Sequence, residues 1–184
     1  MIIIGITGTL GAGKGTIVDY LVQHQGFEHF SVRAFLIEEI RKRNLPENRD
    51  SMFNLANELR SIHGSSYVTD QLYCKALESG RNCVIESIRT PGEVESLRKK
   101  GTFYLFAIDA SPEIRYERII IRGSETDKIS FETFLENEKR EMDTTDPVKQ
   151  NIRRCISMAD YLFENNGSKE ALFKKTEKIL QAIS

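Results

Sequence analysis

Residues Gly8 to Thr16 read Gly-Thr-Leu-Gly-Ala-Gly-Lys-Gly-Thr and follow the apolar run Ile2-Ile3-Ile4-Gly5-Ile6. A strand, a glycine loop with one lysine, and then a helix is an order that wraps backbone N–H groups around nucleotide phosphates. Gly8, Gly11, Gly13 and Gly15 allow positive φ and leave no Cβ in the way. A helix over about Lys14 to Gln25 would aim its positive N-terminus at the same anion. Lys14 adds a full charge able to reach the outer phosphates. Gly8, Thr9, Leu10, Gly11, Ala12, Gly13, Lys14, Gly15 and Thr16 are therefore the candidate nucleotide-binding residues. In the common form of this loop, Ser or Thr follows the lysine directly as a Mg²⁺ ligand. Here Gly15 stands there and Thr16 comes next. A Mg²⁺ ion would then be held largely through water and phosphate oxygens, with Thr16 as a candidate metal contact.

Arg115, Arg118 and Arg122 recur three and four residues apart in the helix expected after the fourth strand, so they share one face. Such a face repels itself unless Glu113 and Glu117 neutralise it or an anion sits between the guanidiniums. A dissociative phosphoryl transition state spreads charge over its outer oxygens, and fixed guanidiniums stabilise that charge. Arg118 and Arg122 are thus candidate catalytic residues beside Lys14. Glu86 closes the third strand, and ligands of open parallel sheets gather at the carboxyl ends of strands. A carboxylate there can orient Mg²⁺-bound water or accept a proton. Arg89, one turn on, can bind an acceptor phosphate, and Ser31, Arg33 and Arg60 are further candidates for contacting an acceptor. Asp109 is expected to cap the next helix or to support the metal site. The polar stretch Gly123 to Lys128, followed by a polar helix from near Ser130, reads as a short lid over about 122–142.

These residues need a scaffold, and the chain supplies an alternation of strands and helices. Candidate strands are Ile2–Ile6, Phe27–Phe30, Cys83–Ile85, Phe103–Ile108 and Tyr161–Phe163, separated by longer helical segments, as in βαβ units on a parallel sheet. Thr90-Pro91-Gly92-Glu93 carries an N-cap, a proline at the first helical position and a capping-box glutamate. Ser111-Pro112 and Asp146-Pro147 repeat the cap-then-proline arrangement. Asn165-Asn166-Gly167-Ser168 reads as a turn, with Ser168 capping a last helix from about Lys169 to Ile183. The long helical region between the second and third strands is broken near Asn44-Leu45-Pro46 and at His63-Gly64. It exceeds what one covering helix needs and suits a helical acceptor-binding insertion over about 33–80.

The composition narrows the class. With 184 residues the chain can bury one proper α/β core, so residues 1–184 are read as a single domain. A formal charge of −1 gives no general attraction to nucleic acid or to anionic membranes. No apolar run approaches the roughly 18 residues of a membrane span, and the N-terminus lacks the pattern of a signal peptide. The cysteines, Cys74, Cys83 and Cys155, form no Cys-x-x-Cys pair. The expected setting is the cytoplasm and the expected assembly a monomer or homodimer.

Taken together, the chain resembles the P-loop nucleoside monophosphate kinase superfamily, and within it the archaeal adenylate-kinase-related proteins and dephospho-CoA kinase. The first resemblance rests on the glycine loop, Ala56 to Gly64, Ile85 to Arg89 and Glu93-Val94-Glu95. The second rests on Asp109-Ala110-Ser111-Pro112-Glu113 with Arg118 and Arg122, and on Ala159 to Ser168. The resemblance implies a P-loop NTPase fold, a three-layer αβα sandwich with a five-stranded parallel sheet, a helical acceptor-binding subdomain and a short lid. It implies ATP as donor with Mg²⁺ and a small-molecule nucleotide as acceptor. Arg118 and Arg122 match the lid-base arginines, and the turn holding Asn166 and Gly167 matches a loop near the adenine in dephospho-CoA kinase. Three activities follow as expectations: a nucleoside or deoxynucleoside monophosphate kinase, dephospho-CoA kinase, or a regulatory P-loop ATPase without a small acceptor.

Overall fold

The computed structural model describes residues 1–123 and 128–183. Five strands form one sheet: β1 (Ile3–Gly8), β2 (Glu28–Ser31), β3 (Cys83–Glu86), β4 (Phe103–Asp109) and β5 (Tyr161–Glu164). Their order is β2-β3-β1-β4-β5, and all neighbours run parallel. Each lies within a residue or two of the run expected from sequence. β1 is central and pairs Ile6 with Glu86 on one side and with Phe106 on the other. All its residues are buried, which is why it reads as an unbroken apolar run rather than an alternation.

Successive residues of β1 still face opposite layers. Ile3 joins the core under α2 (Val32–Lys42), α3 (Arg49–His63), α4 (Tyr67–Ser79), α5 (Pro91–Arg98) and α8 (Ile152–Ser157). Ile4 and Ile6 join the core under α1 (Lys14–Gln25) and α9 (Lys169–Ile183). The result is the expected three-layer sandwich. The helical insertion is α2 to α4, broken at the two places where the sequence breaks. Leu36, Ile40, Leu55 and Leu59 of the insertion share one core with Ile85, Ile88 and Val94, so it is fastened to the sheet that carries Glu86.

Local signals explain most boundaries. Thr90 and Glu93 close a full capping box at α5. Gly26 ends α1 in the left-handed conformation. Ser168 Oγ accepts from Ala171 N at the start of α9. α6 (Pro112–Arg122) begins at the Ser111-Pro112 pair. One expectation fails. Asp146-Pro147 does not open a helix, because the Asp146 side chain accepts from Val148 N and its carbonyl from Lys149 N, closing a tight turn. The helix starts five residues later, where Asn151 Oδ1 accepts from Arg154 N. Of the expected lid, 124–127 lie outside the described residues, and α7 (Phe131–Met142) follows them.

Candidate active site

The glycine loop leaves β1 at the carboxyl edge of the sheet and turns into α1. Gly8 (φ 134°) is the position that most needs glycine, since a Cβ there would collide with the carbonyl of Ile108. Gly13 (φ 97°) is forced by Asn165, whose amide would meet a Cβ and whose Nδ2 donates to Ala12 O at 2.8 Å. Gly11 also takes positive φ. Gly15 does not use that freedom: it lies in the first turn of α1 and nothing stands within 4 Å of where its Cβ would be. Below the loop, Thr9 donates to Asp109 Oδ1 at 2.6 Å, and the same oxygen accepts from Ala110 N. Asp109, expected to cap the next helix or support the metal site, here braces the loop through Thr9.

Lys14 donates to the carbonyls of Gly8 (3.0 Å) and Thr9 (2.7 Å), within its own loop. Burial, aided by the charge of Arg89, lowers its ammonium to about 8. Glu86 and Glu141 act in the opposite sense. A buried cation folded onto neutral carbonyls, at the head of a helix, fits a polyphosphate that would supply the missing negative charge. Thr16 lines the same cleft, as does Glu86. Burial pushes the Glu86 carboxyl upward, but the His29 hydrogen bond (3.2 Å) and the charges of His29, Lys14 and Arg89 outweigh it and hold the group below its ordinary range. An ionised carboxylate and a hydroxyl beside the phosphate-loop lysine are a donor set suited to Mg²⁺ and its waters. Among the described residues no group of three or more His, Cys, Asp or Glu forms a metal cage.

Loop, strand ends and insertion enclose a cleft of about 970 Å³. Of the residues singled out from sequence, Ser31, Arg33, Arg60, Glu86, Arg89, Arg118, Arg122 and Gly167 all line it, together with Lys14 and Thr16. Their settings differ. Arg118 braces the loop from behind, donating to Asn165 O at 2.9 Å and to Ala12 O at 3.4 Å. Arg115 is buried (3% exposed); it donates to Ala110 O and Leu10 O and pairs with Glu138 of α7 at 2.8 Å. Its charge is met by Glu138, not by Glu113 or Glu117, because the arginine turns inward toward α7. Asn166 accepts from Ser111 N and so ties the turn after β5 to the start of α6. Ser31 caps α2 through Ala34 N.

Arg60 touches the cleft floor but is only 1% exposed. It lies 3.5 Å from Glu93, which is fully buried and whose other oxygen accepts from the backbone N–H groups of Arg89 and Thr90. Arg60 thus acts only through the charge of Glu93, whose Oε1 makes no hydrogen bond among the described residues, on the backbone that carries Arg89. Ser87, between Glu86 and Arg89, has φ 74°, a conformation that costs a non-glycine residue roughly 1–2 kcal/mol.

The cleft also holds residues that sequence reasoning missed: His29, Arg49, Glu141, Gln150, Asn165 and Lys169. For Asn165 the signal was at hand, one residue before Asn166. For Arg49 and Glu141 there was none, as they sit in polar helices 92 residues apart and meet only in the fold. No described helix is long and apolar enough to cross a membrane.

Comparison with known proteins places this arrangement. A family profile described as "AAA domain" matches residues 4–146. The UPF0200 protein of Methanococcus vannielii is 31% identical over 186 residues, covering 100% of this chain and 97% of that protein. Among solved structures, TT1252 from Thermus thermophilus superposes with a TM-score of 0.61 at 23% identity, over 100% of this chain and 98% of its own. Shikimate kinase from Bacteroides thetaiotaomicron superposes with a TM-score of 0.55 at 14% identity, over 98% of each chain. The likeness to these structures is one of fold. The chain belongs to the UPF0200 family, carries an AAA domain over residues 4–146, and is built on the P-loop kinase fold.

Proposed function

We propose that this protein is an ATP-dependent phosphotransferase that moves the γ-phosphate of ATP to a small nucleotide, a nucleoside or deoxynucleoside monophosphate. The observation that carries the reading is that one cleft holds two cationic stations. Lys14 and the glycine loop after β1 line it, and so do Arg33, Arg49 and Arg89 from the insertion and the loop after β3, with Glu86 at the end of β3. A nucleotide hydrolase needs only the first station. The kinase named among the fold relatives supports the same class of reaction.

The loop from Gly8 to Thr16 holds the donor's β- and γ-phosphates through backbone N–H groups, and Lys14 spans the outer two. Thr16 and Glu86 would hold Mg²⁺, which neutralises charge on the phosphate oxygens. Arg118 and Arg122 stabilise charge on the phosphoryl group in flight, and Arg118 keeps the loop in shape. The turn at Asn166 and Gly167 lies where the adenine would rest. Ser31, Arg33 and Arg89 hold the acceptor, and Arg60 fixes Arg89 through Glu93. An acceptor oxygen bonds to the γ-phosphorus as the bond to the β–γ bridging oxygen breaks, and ADP leaves. A phosphate acceptor is already anionic near neutral pH, so it needs no base. A hydroxyl acceptor, as in dephospho-CoA, would pass its proton to Glu86. Positioning and fixed charge supply most of the catalysis.

The test is a coupled assay of ADP release with nucleoside monophosphates, deoxynucleoside monophosphates and dephospho-CoA, alongside an acceptor-free control. Acceptor-dependent ADP release with one monophosphate is the expected result. Release only with dephospho-CoA replaces the acceptor. Hydrolysis indifferent to every acceptor replaces the reading with a regulatory ATPase.

A further inference from the structure

Glu141 belongs to a polar helix, yet its side chain is nearly buried in the cleft wall (7% exposed). Its Oε1 accepts from Nη2 of Arg49 at 2.7 Å, and its Oε2 accepts from Nη1 of Arg89. Gln150 Oε1 accepts from the same Arg89 nitrogen at 3.0 Å. Two separate segments, the start of α3 and the loop after β3, therefore close on the carboxylate at the end of α7, and Gln150 before α8 joins the cluster through Arg89. Burial works against the charge of Glu141, but Arg89 and Arg49 outweigh it and keep the carboxyl ionised. Arg89 and Glu141 both act on Lys14, in opposite senses, so the cluster adjoins the donor-phosphate station.

A buried ion cluster adds little net stability, because desolvation offsets most of the attraction. Two guanidiniums closing on a two-oxygen anion are instead the arrangement that recognises a carboxylate or a phosphate. We propose that Arg49, Arg89 and Gln150 form the subsite for the acceptor's anionic group, and that Glu141 is its internal occupant, displaced when the acceptor docks. The inference rests on the phosphotransferase reading and deepens it, since it gives the acceptor an anionic group and a place for it. The exchange is close to neutral in charge: one anion leaves the guanidiniums and another arrives. Glu141 thereby lowers the apparent affinity for the acceptor, as any competing occupant does. It also links docking to movement at the end of α7, which packs on α3 through Arg140 over Phe53 and on α6 through Phe134 against Tyr116 and Glu138 with Arg115.

The test is the thermal midpoint of the full chain titrated with inorganic phosphate and, separately, with acetate, for wild type, Glu141→Gln and Glu141→Gln/Arg49→Gln. Each titration is run with saturating MgADP filling the glycine loop, because Glu141 also acts on Lys14 and would otherwise alter phosphate binding there. The expected result is a phosphate response in Glu141→Gln at least tenfold tighter than in wild type, with the gain lost in the double variant. A stronger response to acetate than to phosphate assigns a carboxylate-bearing acceptor, the reverse a phosphate. Equal responses in wild type and Glu141→Gln, or a gain that survives Arg49→Gln, overturn the proposal. Should Glu141→Gln fail to fold, hydrogen exchange on wild type decides. Phosphate should speed exchange across 138–143, and unchanged exchange there overturns the proposal. MgATP titration separates the two levels: a chain that binds MgATP but gains nothing from Glu141→Gln loses this subsite and keeps its donor site. A chain with no affinity for MgATP loses the kinase reading itself.

Discussion

The two walls of the cleft are built by opposite means. The proposed donor wall is nine consecutive residues whose turn is closed by bonds within the loop, Lys14 to Gly8 and Thr9, Ala12 N to Thr9 O and Thr16 N to Gly13 O, and is then braced from outside by Asp109, Arg115, Arg118 and Asn165. The acceptor wall is made of long charged side chains that join distant segments: Arg49 to Glu141, Arg89 to Glu141 and Gln150, Arg60 to Glu93. A backbone cradle is fixed once its glycines allow the turn, and it recognises phosphate, which every nucleotide carries. A wall of arginines and carboxylates depends on where helices dock. It can be re-aimed by moving one helix, which suits the part of a kinase that chooses its acceptor.

The contrast can be broken most sharply at Lys14. Lys14→Ala should lower turnover about 10²–10³-fold, the usual loss for one fixed group serving the transition state. Its far-UV spectrum and melting cooperativity should be unchanged. Wild-type turnover in that variant would remove the donor wall from the mechanism. Next in size is Gly8→Ala, which forces a Cβ into the carbonyl of Ile108 at positive φ and should cost about 2–4 kcal/mol of unfolding free energy by denaturant titration. Gly15→Ala in the same loop is the control. It has open space and ordinary φ, and should change stability by less than about 1 kcal/mol, toward higher stability.

A smaller effect concerns protons. The Lys14 ammonium sits at about 8 in the free protein, and a bound polyphosphate raises it. Binding MgATP in that range should take up a proton, and affinity should fall about tenfold between pH 7 and 9 as the free protein loses that charge. Calorimetry in buffers of different ionisation enthalpy would measure the uptake, and proton release would contradict the assignment. The smallest effect is at Ser87. Ser87→Gly should raise stability by about 1 kcal/mol by relieving the left-handed backbone. A loss of stability would show that the serine side chain holds the acceptor wall together.

Legibility followed the same division. The five strands, the glycine loop, the broken insertion and the capping box of α5 were readable because each is set by residues a few positions apart. Asp146-Pro147 misled because the same cap-then-proline pair serves a turn as well as a helix start. Arg115 looked like a member of a phosphate-binding face, yet the fold turns it inward to Glu138. Arg60 looked like a direct acceptor contact, yet it is packed under the cleft against Glu93.

The sequence by itself determined the donor cradle and the parallel sheet that presents it. Loop chemistry, strand composition and helix caps are specified within a few residues, which makes them readable even where Asp109, Arg118 and Asn165 later brace the loop from afar. Only the tertiary structure decided which charges face the cleft and which are neutralised beneath it. Whether an arginine meets Glu141, Glu138, Glu93 or a ligand depends on helix docking across some 20 to 90 positions of chain, and ion pairing carries no local periodicity from which that choice could be read.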